Sequence, residues 1–369
     1  MRDEAERAAR LRLIRTPSIG PVSYRQLLAR FGSAQRAIDA LPDLARRGGG
    51  RAPAVPPLAA IERERAWVAR LGARHLMLGD PDYPALLAAL DDSPAVLTLR
   101  GDLALAARTS VAIVGARNAS AAACRFAREL AHDLAAAGAS VVSGLARGVD
   151  AAAHGGALPA TIGVVAGGID VAYPPEHAGL QERIAREGLL LAEMPPGTEP
   201  RARLFPYRNR VVTGLALGTL VVEAAPRSGS LISARLAGEQ GREVMAVPGH
   251  PSDPRARGCN ALIRDGATLV QSAEDVLELL RPLDPRLVRA GGTHWTAPDG
   301  PAPHDAPAPL HDARDRAHVL ALLGAAPVAI DELVRQSALP AALVQDVLLE
   351  LELAGRIDRH PGGQVSRVG

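Results

Sequence analysis

The chain has 369 residues, 47% hydrophobic and 22% charged, with a formal net charge of +2. That length suits two or three domains, and the near-neutral balance means that only the placing of the charges can argue for a nucleic-acid partner. No apolar run reaches the ~20 residues that cross a bilayer, and the opening MRDEAERAAR lacks the apolar stretch of a secretory signal. Cys124 and Cys259 stand far apart, outside any CxxC pattern, and support neither a disulfide framework nor a zinc site. A cytoplasmic protein without membrane contact is the expectation. Every strong cation is arginine. Codon bias accounts for the overall usage, so only arginine clusters carry information. Arginine grips phosphate bidentately, stacks on bases and stays charged.

Residues 1–70 read as short helices, with Leu11, Ile14, Leu27, Leu28 and Ile38 at helical spacing. The turn TPSIGP (16–21) separates two of them. It faintly resembles a helix-hairpin-helix turn, whose amides hold a DNA phosphate, but a plain helical packing domain is the expectation. RRGGGRAPAVPP (46–57) reads as a loop.

Over 75–282 apolar runs alternate with helical stretches. The runs are VAIVG (111–115), ASVVSG (139–144), TIGVVAGG (161–168), LLLAE (189–193), GTLVVEA (218–224), EVMAVPG (243–249) and ATLVQ (267–271). Helices are expected over 121–137, 208–217 and 229–240. Continuous apolar strands alternating with helices predict an α/β, Rossmann-like, mostly parallel sheet covered on both faces. RHLML (74–78) and AVLTLRG (95–101) are expected as edge strands. Residues 283–312 read as a Pro-, Ala- and Gly-rich linker. Helices over 313–323, 330–337 and 340–354, then a hairpin near HPGGQ (360–364), suggest a winged helix over 313–369.

In an open parallel sheet, ligands bind beyond the carboxyl ends of the strands. The segments there are GARNAS (115–120), SGLARGVDAAAH (143–154), GGIDVAYPPEH (167–177) and APRSGSLISA (225–234). Three carry an arginine, Arg117, Arg147 and Arg227, and each segment opens a helix. Ser120, Asp150, and Ser228 or Ser230 are the expected N-caps. Helix N-termini beside arginines make anion sites, so a phosphate-rich ligand is expected. GARNAS has one glycine where a dinucleotide fingerprint has three, and no lysine exists to serve a Walker A loop. NAD and ATP are therefore not expected, and no cofactor is assigned.

PRARLFPYRNRVV (200–212) places Arg201, Arg203, Arg208 and Arg210 around Phe205 and Tyr207, in a chain with only four Tyr, three Phe and two Trp. Cations neutralise phosphates and aromatic faces stack on unpaired bases.

From here the sequence resembles the DNA-processing protein A (DprA, or Smf) family over about 75–282. PDYPALLAALDDSPAVLTLRG (81–101), VAIVGARNAS, SGLARGVDAAAH, GGIDVAYPPEH, FPYRNRVVTGL (205–215), VVEAAPRSGSLISARLAGEQGREVMAVPG (221–249) and GCNALIRDGA (258–267) follow in the family's order. Ala116 stands where the family's GSR-x-x-S turn has serine. The resemblance implies a helical N-terminal domain, a Rossmann domain that binds single-stranded DNA and forms a homodimer, and a C-terminal winged helix. It also implies delivery of DNA to the RecA recombinase in transformation or recombination. By position, DNA contact falls on Arg117, on the loop of Ser143, Gly144 and Arg147, and on Phe205, Arg208 and Asn209. Arg201, Arg203, Arg210, Arg227, Ser120, Ser228 and Ser230 join the candidate set.

Two other classes stay open. A nucleotide hydrolase releasing a base would use a PGG-x-GT-x-x-E signature. TGLALGTLVVE (213–223) keeps Gly218 and Thr219 but lacks PGG, and Glu223 stands one place too far along. A buried Glu223 bonded to loop amides is the expectation, and no catalytic residue is assigned. Asp150 and His154 share a helix face but lack a third metal ligand, so a local hydrogen-bonding role is expected. A duplex-reading regulator would need a cationic recognition helix. PAALVQDVLLELELAG (340–355) carries Asp346, Glu350 and Glu352 and no cation, which favours a protein-contact or spacing role.

Overall fold

The computed structural model describes residues 4–283, 312–360 and 362–368. The linker read over 283–312 lies outside them apart from its two ends. The described residues form two compact units, one of 4–64, 91–95 and 312–368, the other of 65–90 and 96–283. No helix among them is long and apolar enough to cross a membrane.

The chain starts with α1 (Glu4–Ile14), α2 (Pro21–Phe31), α3 (Ala34–Arg47) and α4 (Leu58–Arg70). Leu11, Leu13, Leu27, Leu28, Ile38, Leu41 and Leu44 bury the shared face of the first three. Pro21 takes the first helical position of α2, where its missing N–H costs nothing. Ser33 caps α3 through Arg36 N. Helix α3 runs to Arg47, so the loop read over 46–57 begins at Gly48.

The second unit runs β1 (Arg74–Met77), α5 (Ala85–Ala88), β2 (Val96–Gly101), β3 (Ser110–Val114), α6 (Ala121–Ala136), β4 (Ser140–Ser143), α7 (Val149–Ala157), β5 (Thr161–Val165), α8 (Ala178–Glu187), β6 (Leu189–Ala192), α9 (Leu204–Gly214), β7 (Gly218–Val221), α10 (Gly229–Glu239), β8 (Glu243–Ala246), α11 (Arg257–Arg264), β9 (Thr268–Leu269) and α12 (Ala273–Leu280). The sheet order is β1-β2-β6-β5-β4-β3-β7-β8-β9. Pairing is parallel from β6 to β9, and β1 and β2 are antiparallel. Only β1 of the two expected edge strands is an edge. The apolar run of β2 pairs with both β1 and β6. Along β3, Ala112 and Val114 enter one core and Val111 and Ile113 the other, as the two-residue strand period requires. From β3 the strand order grows toward β4, β5 and β6 on one side and toward β7, β8 and β9 on the other. The carboxyl ends of β3 and β7 thus flank a topological switch point, where such sheets bind ligands.

The first unit continues with α13 (Ala313–Ala321), β10 (Val328–Ala329), α14 (Ile330–Ser337), α15 (Ala341–Leu353), β11 (Ile357–His360) and β12 (Gln364–Arg367), the strands ordered β10-β12-β11. This is the expected winged helix. Helix α15 makes a protein contact: Gln26 Nε2 donates to Gln345 Oε1 at 3.0 Å and Arg30 lies 3.6 Å from Asp346. Glu350 is buried near Arg316 (3.4 Å) and Arg47 (3.9 Å), and Glu352 accepts from Arg359 Nε at 2.7 Å. A Cβ on Gly48 would stand 2.1 Å from the Glu350 carbonyl oxygen, so glycine permits this close seat.

Candidate nucleic-acid interface

A cavity of about 900 Å³ opens at the switch point. Its walls come from the turn after β3 (Gly115–Asn118), the start of α9 (Phe205–Asn209), the loop after β7 (Ala225–Ser230) and Tyr173. Each wall is fixed locally. Ser120 caps α6 by accepting from Ala123 N at 3.1 Å. Glu223, at the end of β7, is buried and accepts from Ser120 N at 3.1 Å and from Ser120 Oγ at 2.7 Å. Its carboxylate thereby holds the Arg117 turn, as the sequence suggested. Ser228 caps α10 through Ser230 N. Arg227 takes a positive φ of 68°, rare for a residue with a Cβ.

Helix α9 starts at Leu204, four residues before the expected position. Phe205 and Pro206 are therefore in its first turn, which tolerates proline. This brings Phe205 and Arg208 onto one side, with the Arg208 guanidinium carbon 5.9 Å from the Phe205 ring centroid and that of Arg117 at 5.1 Å. Both lie within cation–π range. Tyr173 adds a second ring 5.6 Å from Phe205, tilted by 57°.

Arg208 is only 7% exposed. It lies so close over Gly144 that a Cβ there would be 1.1 Å from Nη1. Asp150 Oδ2 stands 4.0 Å from Arg208 and accepts from Gly144 N at 3.1 Å and Ala146 N at 3.3 Å. Asp150 is not the expected N-cap. Gly148 takes that place, and Asp150 ties the preceding loop down instead. Burial raises the Asp150 carboxyl above the usual range, opposed by Arg208. Burial lowers the Arg208 guanidinium, opposed by Asp150. Arg208 Nε is buried and makes no hydrogen bond among the described residues, a polar demand that a bound anion would meet. His154 Nδ1 meets Thr161 Oγ1 at 2.7 Å, and burial, followed by Arg208, lowers its pKa to about 3. It is a neutral core histidine.

Of the residues expected at the site, Arg117, Phe205, Arg208, Asn209, Arg227, Ser228 and Ser230 line the cavity. The others lie elsewhere. Ser120 sits beneath the first turn. Ser143 is buried and donates to Ile113 O at 2.6 Å, and Gly144 forms the seat of Arg208. Arg147 points outward and pairs with Glu176, which raises its pKa. Arg201 and Arg203 are exposed on the approach to α9. Arg210, 1% exposed, pairs with Glu193 at 2.5 Å. As a buried, ion-paired side chain it is corrected to a structural role. Tyr173, Asn118, Ser233 and Arg255 also line the cavity and escaped the sequence reading. Tyr173 was legible as an aromatic in a strand-end loop, and Arg255 as a cation beyond β8. Among the described residues no group of three or more His, Cys, Asp or Glu is placed to hold a metal ion.

A doubly wound sheet with an arginine- and aromatic-lined cavity at its switch point defines a Rossmann-like protein. Residues 74–281 match the family described as DNA recombination-mediator protein A. Residues 4–66 match a DprA-like N-terminal HHH domain and 301–363 a DprA winged helix domain. The chain is 38% identical to Protein Smf of Escherichia coli over 315 residues, 84% of this chain and 81% of that one. It is 40% identical to DNA processing protein DprA of Bacillus subtilis over 232 residues, 62% of this chain and 76% of that one. Among solved structures, DprA of Streptococcus pneumoniae superposes with a TM-score of 0.57 at 38% identity, covering 61% of this chain and 78% of that chain. DprA of Helicobacter pylori, described for its single-stranded DNA binding mode, gives 0.52 at 32% identity, covering 57% and 96%. The chain belongs to the DprA/Smf family.

Proposed function

We propose that the protein binds single-stranded DNA in the switch-point cavity and serves DNA processing in recombination. The observation that carries this is the convergence of Arg117 and Arg208 on Phe205, with Tyr173 beside it. Guanidinium groups suit a phosphate backbone and aromatic rings suit unpaired bases. The relatives' names and the single-stranded DNA mode of the H. pylori protein support the same reading. The protein acts in the cytoplasm as a homodimer, protects incoming or recombining DNA and helps to load RecA. On this reading it is a binding protein and not an enzyme, which the broken hydrolase signature and a structural role for Glu223 under Ser120 support.

Titration of labelled oligonucleotides at fixed salt tests the binding. Single strands are expected to bind far more tightly than duplex, with little sequence preference, and equal affinity would refute the reading. Light scattering reads the dimer, and strand exchange on DNA coated with a blocking protein reads RecA loading. A monomer without RecA stimulation would remove those two elements. Incubation with nucleotides is expected to release neither base nor phosphate, and release abolished by Glu223→Gln would restore the hydrolase.

A further inference from the structure

Phe205 is the aromatic that the sequence offers for base stacking, but its surroundings are occupied. Two guanidinium groups, of Arg117 and Arg208, and the Tyr173 ring all lie within 6 Å of its centre. The ring is half-buried in the first turn of α9. Tyr173 has the opposite character. It lines the cavity yet is 47% exposed, one of few large hydrophobic side chains in the second unit left so open.

Its loop is fixed. Gly168 N donates to Thr198 O at 2.9 Å, Val171 N to Gly168 O at 3.0 Å, and Gly197 N to Asp170 Oδ1 at 2.8 Å. On the far side His177 Nδ1 meets Leu145 O at 2.9 Å, and Pro174, directly after the tyrosine, is buried. A ring so anchored loses little freedom when a planar ligand settles on it, which favours binding. A flat π-face also accepts any base.

We infer that Tyr173 is the residue on which an unpaired nucleobase stacks, and that Phe205 is a positioning residue for Arg117 and Arg208. The inference rests on the single-stranded DNA reading and divides its labour: Tyr173 holds a base, while Phe205 holds the two cations that meet the backbone.

The test uses the full chain with two probes of equal length, oligodeoxythymidine and the same strand made wholly abasic, titrated across salt. The intact protein is expected to prefer the base-bearing strand by about tenfold, the scale of one stacked base. Tyr173→Ala and Tyr173→Leu should erase that preference while leaving abasic affinity and its salt slope unchanged, and Tyr173→Phe should keep it. Phe205→Leu should retain the preference but flatten the salt slope by about 0.7 for each arginine that no longer meets a phosphate. Full preference in Tyr173→Ala, or its loss in Phe205→Leu alone, would overturn the assignment. An intact protein that binds neither probe would overturn the single-stranded DNA reading as well.

Discussion

The switch-point cavity and the α15 region use the same side chains to opposite ends. Around α15, Glu350 and Glu352 are buried against Arg316, Arg47 and Arg359, and Asp346 faces Arg30. Each cation there answers a carboxylate of the same chain. In the cavity Arg255 pairs with Asp253 at 3.1 Å, but Arg117 and Arg227 are exposed with no carboxylate partner among the described residues, and Arg208 has only a distant one in Asp150. An arginine is available to a ligand where the fold puts no acid within reach. On α15 the acidic side chains are already engaged by arginines of the same unit.

The largest effect expected on the paired side comes from Arg359→Ala. It leaves Glu352 buried without its cation and should cost about 3–5 kcal/mol of stability, measurable by urea denaturation. Unchanged stability would break the comparison on that side. On the other side, Arg117→Ala or Arg208→Ala should each weaken single-stranded DNA binding by about 1.5–3 kcal/mol and flatten the salt slope by about 0.7. Unchanged affinity in both would place the DNA on another surface.

A smaller effect concerns pH. His154 titrates at about 3 in the fold against 6.5 unperturbed, so between those values the unfolded chain binds the extra proton. Its contribution to stability is full above pH 6.5 and falls as the pH drops toward 3. Asp150, whose carboxyl is raised by burial, acts in the other sense, favouring the fold below 3.8 and losing that as pH rises. Melting temperature against pH should therefore decline more gently in His154→Gln, and an unaltered profile would contradict the buried, neutral histidine. The smallest change is expected for Arg147→Ala. Its side chain is exposed and paired with Glu176, so its loss should affect DNA affinity less than the loss of Arg117 or Arg208. An equal loss would show that the pair opens to meet the ligand.

The strands, their parallel order and the strand-end location of the site were legible in the sequence, because buried apolar runs and glycine-rich turns are local signals. Which arginines face the cavity was not. Arg208 and Arg210 are two residues apart in α9, a little over half a helix turn, which sends them to different faces, and only the fold shows that Glu193 waits for Arg210. The late start predicted for α9 has a similar origin. Pro206 reads as a helix breaker, yet it is accepted in a first turn. The docking of α15 on α2 and α3 joins residues some 300 positions apart, as with Gln26 and Gln345. Its acidic sequence hinted at a protein contact but named no partner.

The most direct test of the central claim is the affinity of the intact protein for a single strand and for the matching duplex, each measured across a range of salt. If about five phosphates are neutralised in all, log K for the single strand should fall with log salt at a slope near −3.5, and the duplex should bind far more weakly throughout. Equal affinity for the two forms, or a single-strand affinity indifferent to salt, would contradict the account.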